Sequence, residues 1–415
     1  SSSSSSSSVD SKHDGITDTE HRPETPKEKQ IQRLNCGEAE DMNKEEGVAK
    51  LQTRSLQSAL TQKSISTSSS SSSTVSIPLK RKRNEWKEHV FVQEIERFYD
   101  ASRPSKRRKK QKNLFFDIIY GYIEAFRLSQ YPLESWHVFR FGSIIWNIDT
   151  SESDIDVAID LNFRSMNIPK VIKQELLRRL TMFLALKQQK HRELQKYACT
   201  SILHARCPII TIEDRSFDIK MDISVADGSC CKTKDIIFEM IEKYSNQYEY
   251  PMRRFLVFIK HWSKQRGIND SPNRFINSFG YTLMAIKYVQ YLSAVRKKAK
   301  SENLSYLVYN FFKYYVHFDA EKYQIDIMDA KHVTAFGRKR GKHPLEIIDP
   351  ANPNNNVTKN VRAEQYRKIC LEFKRAAKIY KAYMMESCSK STTPSLFELL
   401  TKCCQSEWTV SVNDV

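Results

Sequence analysis

Apolar positions along this chain change their period twice. Leu114, Phe115, Ile118, Ile119, Tyr122, Ile123 and Phe126 recur at helical spacing and predict an amphipathic helix over 113–127. Trp136 to Phe141 then reads as a strand. In 154–161, Ile155, Val157 and Ile159 alternate with Asp154 and Asp156, the period-two signature of a half-buried strand. A second helix follows over 171–186, striped by Leu176, Leu177, Leu180 and Phe183. Two further strands, 206–212 and 217–225, flank a polar turn at 213–216. In the latter, Phe217, Ile219, Met221, Ile223 and Val225 share one face, and Asp218, Lys220, Asp222 and Ser224 the other. Beyond 225 the period is helical, with helices predicted over 236–244, 255–266, 279–292, 304–315 and 362–385. A polar, Asn-rich loop at 344–361 interrupts them, and loops of that length in a folded domain are usually functional or disordered. The pattern predicts an α+β chain with a small strand-rich lobe, a larger helical lobe and a cleft between them.

The first 77 residues differ. Eight serines open them, a second serine tract covers 64–76, and apolar surface is too scarce to offset ordering entropy, so disorder is expected. A short apolar-spaced piece near 48–60 could form a transient helix. Linker, partner-docking tail and phosphorylation target all stay open for this segment. Residues 78–112 read as a basic linker with a short helix. Clusters at 80–83 (Lys-Arg-Lys-Arg) and 106–110 (Lys-Arg-Arg-Lys-Lys) flank Val90, Phe91, Ile95, Phe98 and Tyr99. Nuclear import or RNA-backbone contact is one reading of the clusters; a solvated basic hinge is the other. The expected division is a disordered tail 1–77, the linker 78–112, a strand-rich domain 113–225, a helical central domain 226–388 and a tail 389–415.

Charge sharpens this division. The 415 residues hold 67 Lys+Arg against 49 Asp+Glu, a formal +18. Residues 1–77 hold 9 basic and 11 acidic side chains, so the remainder carries +20. A polyanionic partner is implied for that part. The nine cysteines include two adjacent pairs and no C-x-x-C spacing, which suggests free thiols in a reducing compartment and no zinc site. No apolar run is long enough for a transmembrane helix, and no secretory signal pattern is present. The expectation is an intracellular protein without a membrane partner, cytoplasmic or nuclear.

Candidate chemistry concentrates in FGSIIWNIDTSESDIDVAIDL, residues 141–161. Asp154 and Asp156 leave one face of one strand, close enough to share a divalent cation. Gly142-Ser143 just upstream can offer backbone N–H groups and a hydroxyl to a phosphate. Taken alone, the pair could equally be solvated acids on a strand edge. Asp222, on the polar face of a separate strand, is the candidate third carboxylate. Three carboxylates on adjacent strands suit two-metal phosphoryl transfer, and oxygen ligands favour Mg²⁺ or Mn²⁺.

At this point the chain resembles the template-independent terminal nucleotidyltransferases of the DNA polymerase beta superfamily, the poly(A)/poly(U) polymerases, over roughly residues 85–385. Six ordered blocks carry the likeness. Phe141-Gly142-Ser143 with Ser153-Asp154-Ile155-Asp156 resembles the active-site signature. Ala205 to Ile210 with Asp222-Ile223-Ser224 resembles the third-carboxylate block. Phe258 to Trp262 with Lys264 is similar to the triphosphate helix, and Asn277 to Tyr281 to the helix start that stacks the base. Phe311 to Tyr315, and Ile348-Asp349-Pro350 with Asn355-Asn356-Val357, are similar to the late blocks.

The resemblance implies a palm-like nucleotidyltransferase domain joined to a helical domain with a nucleotide-recognition loop. It also implies ribonucleotide addition from an NTP to an RNA 3′ end. Asp154 and Asp156 would hold the metals and Asp222 would activate the 3′-hydroxyl. Gly142, Ser143, Lys260 and Lys264 would bind the triphosphate, Ser278 the triphosphate or base edge, and Phe279 would stack on the base. Three positions depart from the family pattern. Asn355 stands where uridylyltransferases commonly place His, Phe279 where Tyr is usual, and Thr233 where a ribose-contacting Asn is usual. An Asn both donates and accepts, so UMP, AMP and mixed addition stay open. No RNA-recognition module is legible outside the core, so substrate choice falls to the basic surface, the N-terminal tail or a protein partner. The rival readings are a same-fold enzyme with another acceptor, such as an oligoadenylate-synthase-like or small-molecule nucleotidyltransferase, and an inactive RNA-binding relative.

Overall fold

The computed structural model describes residues 76–134, 136–161, 168–226, 229–246, 251–295, 303–329, 334–335, 343–386 and 394–403. The expectations for the serine-rich tail, including the piece at 48–60, lie outside these residues.

Two helices lead the described chain, α1 (Ser76–Ser102) and α2 (Lys106–Gln130). The strand-rich lobe continues with β1 (His137–Phe141), β2 (Ile155–Asp160), α3 (Lys170–Lys190), β3 (Tyr197–Ile202), β4 (Ile209–Asp214) and β5 (Ile219–Ala226). The strands form one mixed sheet in the order β1-β2-β5-β4-β3. Only the β2–β5 pair is parallel. Alternation along β2 and β5 sends Ile155, Val157, Ile159, Met221 and Ile223 into a core where none exceeds 1% exposure. Phe115, Ile119, Ile123 and Phe126 of α2 and Leu176, Leu177, Leu180 and Leu184 of α3 close that core. One sheet face is thus packed by helices, and the opposite face carries the carboxylates.

The second core belongs to α4 (Ser229–Asn246), α5 (Met252–Gln265), α6 (Ser278–Val295), α7 (Leu304–Val316), α8 (Ala363–Met385) and α9 (Leu396–Thr401). Short pairs β6 (Tyr323–Gln324) with β7 (Thr334–Ala335), and β8 (Ile348–Asp349) with β9 (Asn352–Asn356), sit between α7 and α8. Trp262, Phe311, Phe312 and Phe373 meet ring to ring at the centre of this lobe. The architecture is α+β, as the alternating periods indicate.

Several segments differ from the sequence expectation. Residues 78–112 are not a linker around a short helix: α1 runs 27 residues, and α2 begins inside the second basic cluster. Arginine and lysine are good helix formers, and Ser105 caps the start by accepting from the Arg108 N–H. Phe91, at 0% exposure, packs against Phe258 and Tyr380, so α1 belongs to the helical core. The tail expected from 389 instead contains α9. A Ser395/Glu398 capping box starts it, and Phe397 reaches Phe98, Phe258 and His261. Strand β3 has a mixed burial pattern that hid it, and the loop at 344–361 contains the β8–β9 hairpin.

The helical lobe is locked by a buried ion pair. Glu372 (5% exposed) accepts from Arg266 (1% exposed) at 2.8 and 3.0 Å, and from Arg375 at 2.9 Å. Removing one partner strands the other's charge in a dry environment, at about 3–5 kcal/mol. Glu372→Ala is therefore expected to lower unfolding stability by about 3–5 kcal/mol, read from the urea midpoint at unchanged slope. A loss below about 1 kcal/mol would mean that Arg266 finds another partner or water.

Candidate active site

Strand β1 ends at Phe141, which is the register partner of Asp156. The chain then makes a single 3-10 turn over Gly142–Ile144. Gly142 holds φ at +71°, and a Cβ added there would stand 2.5 Å from Asp156 Oδ2. Only glycine satisfies both the left-handed backbone and this close approach. The turn is closed by N–H donation from Trp146 to the Gly142 carbonyl (3.3 Å) and from Ile148 to the Ser143 carbonyl (3.0 Å).

Asp156 and Asp222 are Cα partners across the parallel β2–β5 pair, and alternation carries Asp154 to the same face. Like charges crowd here. Burial, then Asp222 and Asp154, push the Asp156 carboxyl up to about 7. Asp154, at the exposed rim, is also raised, by partial enclosure of its carboxyl and by Asp222. Asp222 accepts a 2.7 Å hydrogen bond from Thr211 Oγ1, its partner on β4. Among the described residues, no group of three or more His, Cys, Asp or Glu side chains is placed to hold a metal ion as it stands. The donor set nonetheless suits a hard divalent ion: all-oxygen, anionic, and held together against its own repulsion.

The opposite wall comes from α5. Apolar residues fix its orientation in the helical core, which turns Lys260 and Lys264, one turn apart, toward the carboxylates. Burial and the neighbouring Lys264 pull the Lys260 ammonium down to about 8. It donates to Ser153 Oγ at 3.3 Å. His261, next in sequence, packs between Phe98 and Phe397, and burial pulls its pKa down to about 4. It faces core rings, consistent with a structural role.

Between the walls lies a cavity of about 560 Å³, lined by Gly142, Ser143, Asp154, Asp156, Thr233, Lys260, Lys264, Ser278 and Phe279, among others. Nine of the eleven residues singled out in the sequence thus converge on one space. The other two stand outside it. Asp222 lies beside Asp156 on the next strand and does not line the cavity. Asn355 is held off the cavity: its carboxamide accepts from Arg206 at 2.6 Å and donates to Asp349 at 3.1 Å. Arginine only donates and a carboxylate only accepts, so this pairing fixes which end of the amide faces which neighbour.

Three lining residues had no distinctive sequence signal. Trp146, 6% exposed, stacks at 22° on Phe279 with centroids 6.1 Å apart and donates its indole N–H to the Lys234 carbonyl. Asn269 exchanges hydrogen bonds with Ser278. Asp349 accepts from Thr233 Oγ1 at 2.9 Å, so Thr233 is tied to the hairpin before any sugar could reach it. The Asp349-Pro350 dipeptide stood in a motif block, but nothing in its spacing pointed to the cleft.

A mixed sheet with aligned carboxylates, a Gly-Ser turn and a two-lysine helix is the arrangement of a palm-type fold. Over this region the chain is similar to RNA terminal nucleotidyltransferases. The poly(A) RNA polymerase, mitochondrial-like, central palm domain family matches residues 91–238. A mitochondrial poly(A) RNA polymerase of Drosophila melanogaster is 24% identical over 214 residues, 42% of this chain and 33% of that protein. A crystal structure of mtPAP in complex with UTP superimposes with TM-score 0.59 and 16% identity, covering 83% of this chain and 79% of that one. A cytoplasmic RNA terminal U-transferase gives TM-score 0.56 and 17% identity over 76% and 99%. At such identities the two structures establish the fold. The match with the Drosophila polymerase extends over a third of that relative's length.

Gly142→Ala tests the turn. The left-handed backbone costs about 1–2 kcal/mol for alanine, and the methyl would displace the Asp156 carboxyl. The expected outcome is a slightly lower melting temperature and a roughly 100-fold loss of nucleotide incorporation, the size of effect an ångström of misplacement produces. Incorporation within twofold of wild type would show that Asp156 need not hold this position.

Proposed function

We propose that this protein is a metal-dependent RNA 3′-terminal nucleotidyltransferase that takes NTPs and releases pyrophosphate. The observation that carries the reading is the convergence of Asp154, Asp156, Ser143, Lys260, Lys264 and Phe279 on one cavity between the lobes. The sheet supplies anionic oxygen at the floor, α5 supplies cations on the facing wall, and an aromatic platform closes one end. A triphosphate needs the second, a base the third, and the first is the donor set for Mg²⁺ or Mn²⁺.

In this reading Asp154 and Asp156 would hold the metal ions, with Asp222 as the third ligand that activates the RNA 3′-hydroxyl. Divalent cations held there would supply Lewis acidity to the attacking hydroxyl and offset charge on the leaving pyrophosphate. Ser143 and the Gly142 turn direct N–H and hydroxyl groups at the phosphates. Lys260 and Lys264 hold the triphosphate as point charges. Ser278, positioned by Asn269, reaches the triphosphate or the base edge. Phe279, backed by Trp146, stacks on the base. Thr233 contacts the ribose less directly than a longer amide would, because Asp349 already occupies its hydroxyl.

Base choice is read as permissive. Asn355, tied to Arg206 and Asp349, presents no imidazole to the cleft, so AMP, UMP or mixed addition follows. We assign the choice of RNA to the basic surface of the core and to partners of the N-terminal region. Lys106, Arg107 and Lys109 are exposed and available to an RNA backbone or to the import machinery. No helix among the described residues is long and apolar enough to cross a membrane.

The direct test incubates purified protein, a labelled RNA, Mg²⁺ or Mn²⁺, and each NTP singly and mixed, with sequencing of the tails. Asp156→Ala is expected to abolish extension while RNA affinity stays within about twofold. Extension by that variant would refute the metal-site assignment. Pure uridylate tails from the mixture would refute the permissive reading of Asn355.

A further inference from the structure

The loop 147–153 delivers the chain to Asp154, and it contains few apolar residues to hold it. Its carbonyls are instead gripped by Arg103, in the turn after α1, and by cations of α2. Lys112, only 3% exposed, donates to the Thr150 carbonyl at 3.1 Å and to the Ser153 carbonyl at 2.8 Å. One turn earlier, Arg108 donates from Nε to the Ser151 carbonyl at 3.1 Å. The same guanidinium reaches the Phe217 carbonyl, and the Asp218 carbonyl at 2.7 Å. Those two residues form the turn that opens β5, the strand of Asp222. Arg103 pairs with Asp149 at 3.1 Å, and the Ser151 N–H donates to the Ser102 carbonyl. Ser153 in turn receives Lys260 on its hydroxyl.

Burying an ammonium on two neutral carbonyls costs more than burying a methionine of similar length. What sets Lys112 apart from a buried lysine of the helical lobe is where its carbonyls lie, on the loop that leads directly into Asp154. We infer that Lys112 and Arg108 are positioning residues: together they set the entry angle of both carboxylate-bearing strands, and so the spacing of Asp154, Asp156 and Asp222. Part of the basic cluster is therefore turned inward, to the site's scaffold. This rests on the proposed assignment of the three aspartates as metal ligands.

The test reads metal binding directly. Mn²⁺ is titrated into the full chain with a non-hydrolysable NTP and followed by electron paramagnetic resonance, beside melting temperature and steady-state kinetics. Lys112→Met is expected to weaken Mn²⁺ binding at least tenfold and to lower kcat, with the KM for RNA unchanged. The control is Lys287→Met. Lys287 is 1% exposed and caps the Asp326 and Asp329 carbonyls in the helical lobe. It is expected to cost similar stability and leave Mn²⁺ affinity within twofold. If Lys112→Met does not fold, Arg108→Met, at a half-exposed position, decides: at least threefold weaker Mn²⁺ binding supports the inference. Mn²⁺ affinity within twofold of wild type in the folded Lys112 variant, or in Arg108→Met where it decides, overturns the positioning role. A wild-type chain that binds no Mn²⁺ would instead overturn the metal-ligand assignment beneath it.

Discussion

Two carboxylates side by side on a parallel strand pair form the constraint around which this structure is arranged. Asp156 and Asp222 cannot separate without breaking the register of β2 and β5, and Asp154 adds a third negative group to the same face. Burial, with their repulsion added, raises the Asp156 carboxyl to about 7. Such a cluster persists only if the surrounding fold outweighs the strain. Here the sheet does so by burying an unbroken apolar face on its other side, so that register slippage would expose the whole core.

The rest of the cleft can be understood as compensation for that cluster. Lys260 and Lys264 reach it from a helix whose other faces are fixed by Phe255, Phe258 and Trp262. The cation wall therefore moves only if the helical lobe moves. The lobes are joined through polar bonds as well as packing. Lys260 meets Ser153, and Asn355 meets Arg206. These exposed or half-buried bonds are cheap to break and re-form, in contrast to the buried Arg266–Glu372 pair that holds the helical lobe itself.

Much of the site was legible in the chain. Period-two alternation put Asp154 and Asp156 on one face and Asp222 on the polar face of another strand, because side-chain direction in a strand is a local property. Lys260 and Lys264 shared a helix face for the same kind of reason. Less legible was α1, whose apolar positions were few and whose flanks were basic. Phe91 is buried only because Phe258 and Tyr380, far away in sequence, come to meet it. The helix α9 was missed likewise, since six residues carry too little period to register.

What the sequence determined by itself is what short-range geometry controls: the strand and helix periods, the two-lobe order, and the identity of the carboxylates, the Gly-Ser turn and the lysine pair. What only the tertiary structure decided is which side chains share the space and which are already spoken for. Trp146 backs Phe279, Asp349 takes the hydroxyl of Thr233, and Arg206 holds Asn355 away from the cavity. Lys112 and Arg108 turn inward from a run of charges that looks uniform along the chain. Each of these depends on the register and packing of segments distant in sequence, and no local pattern carries that information.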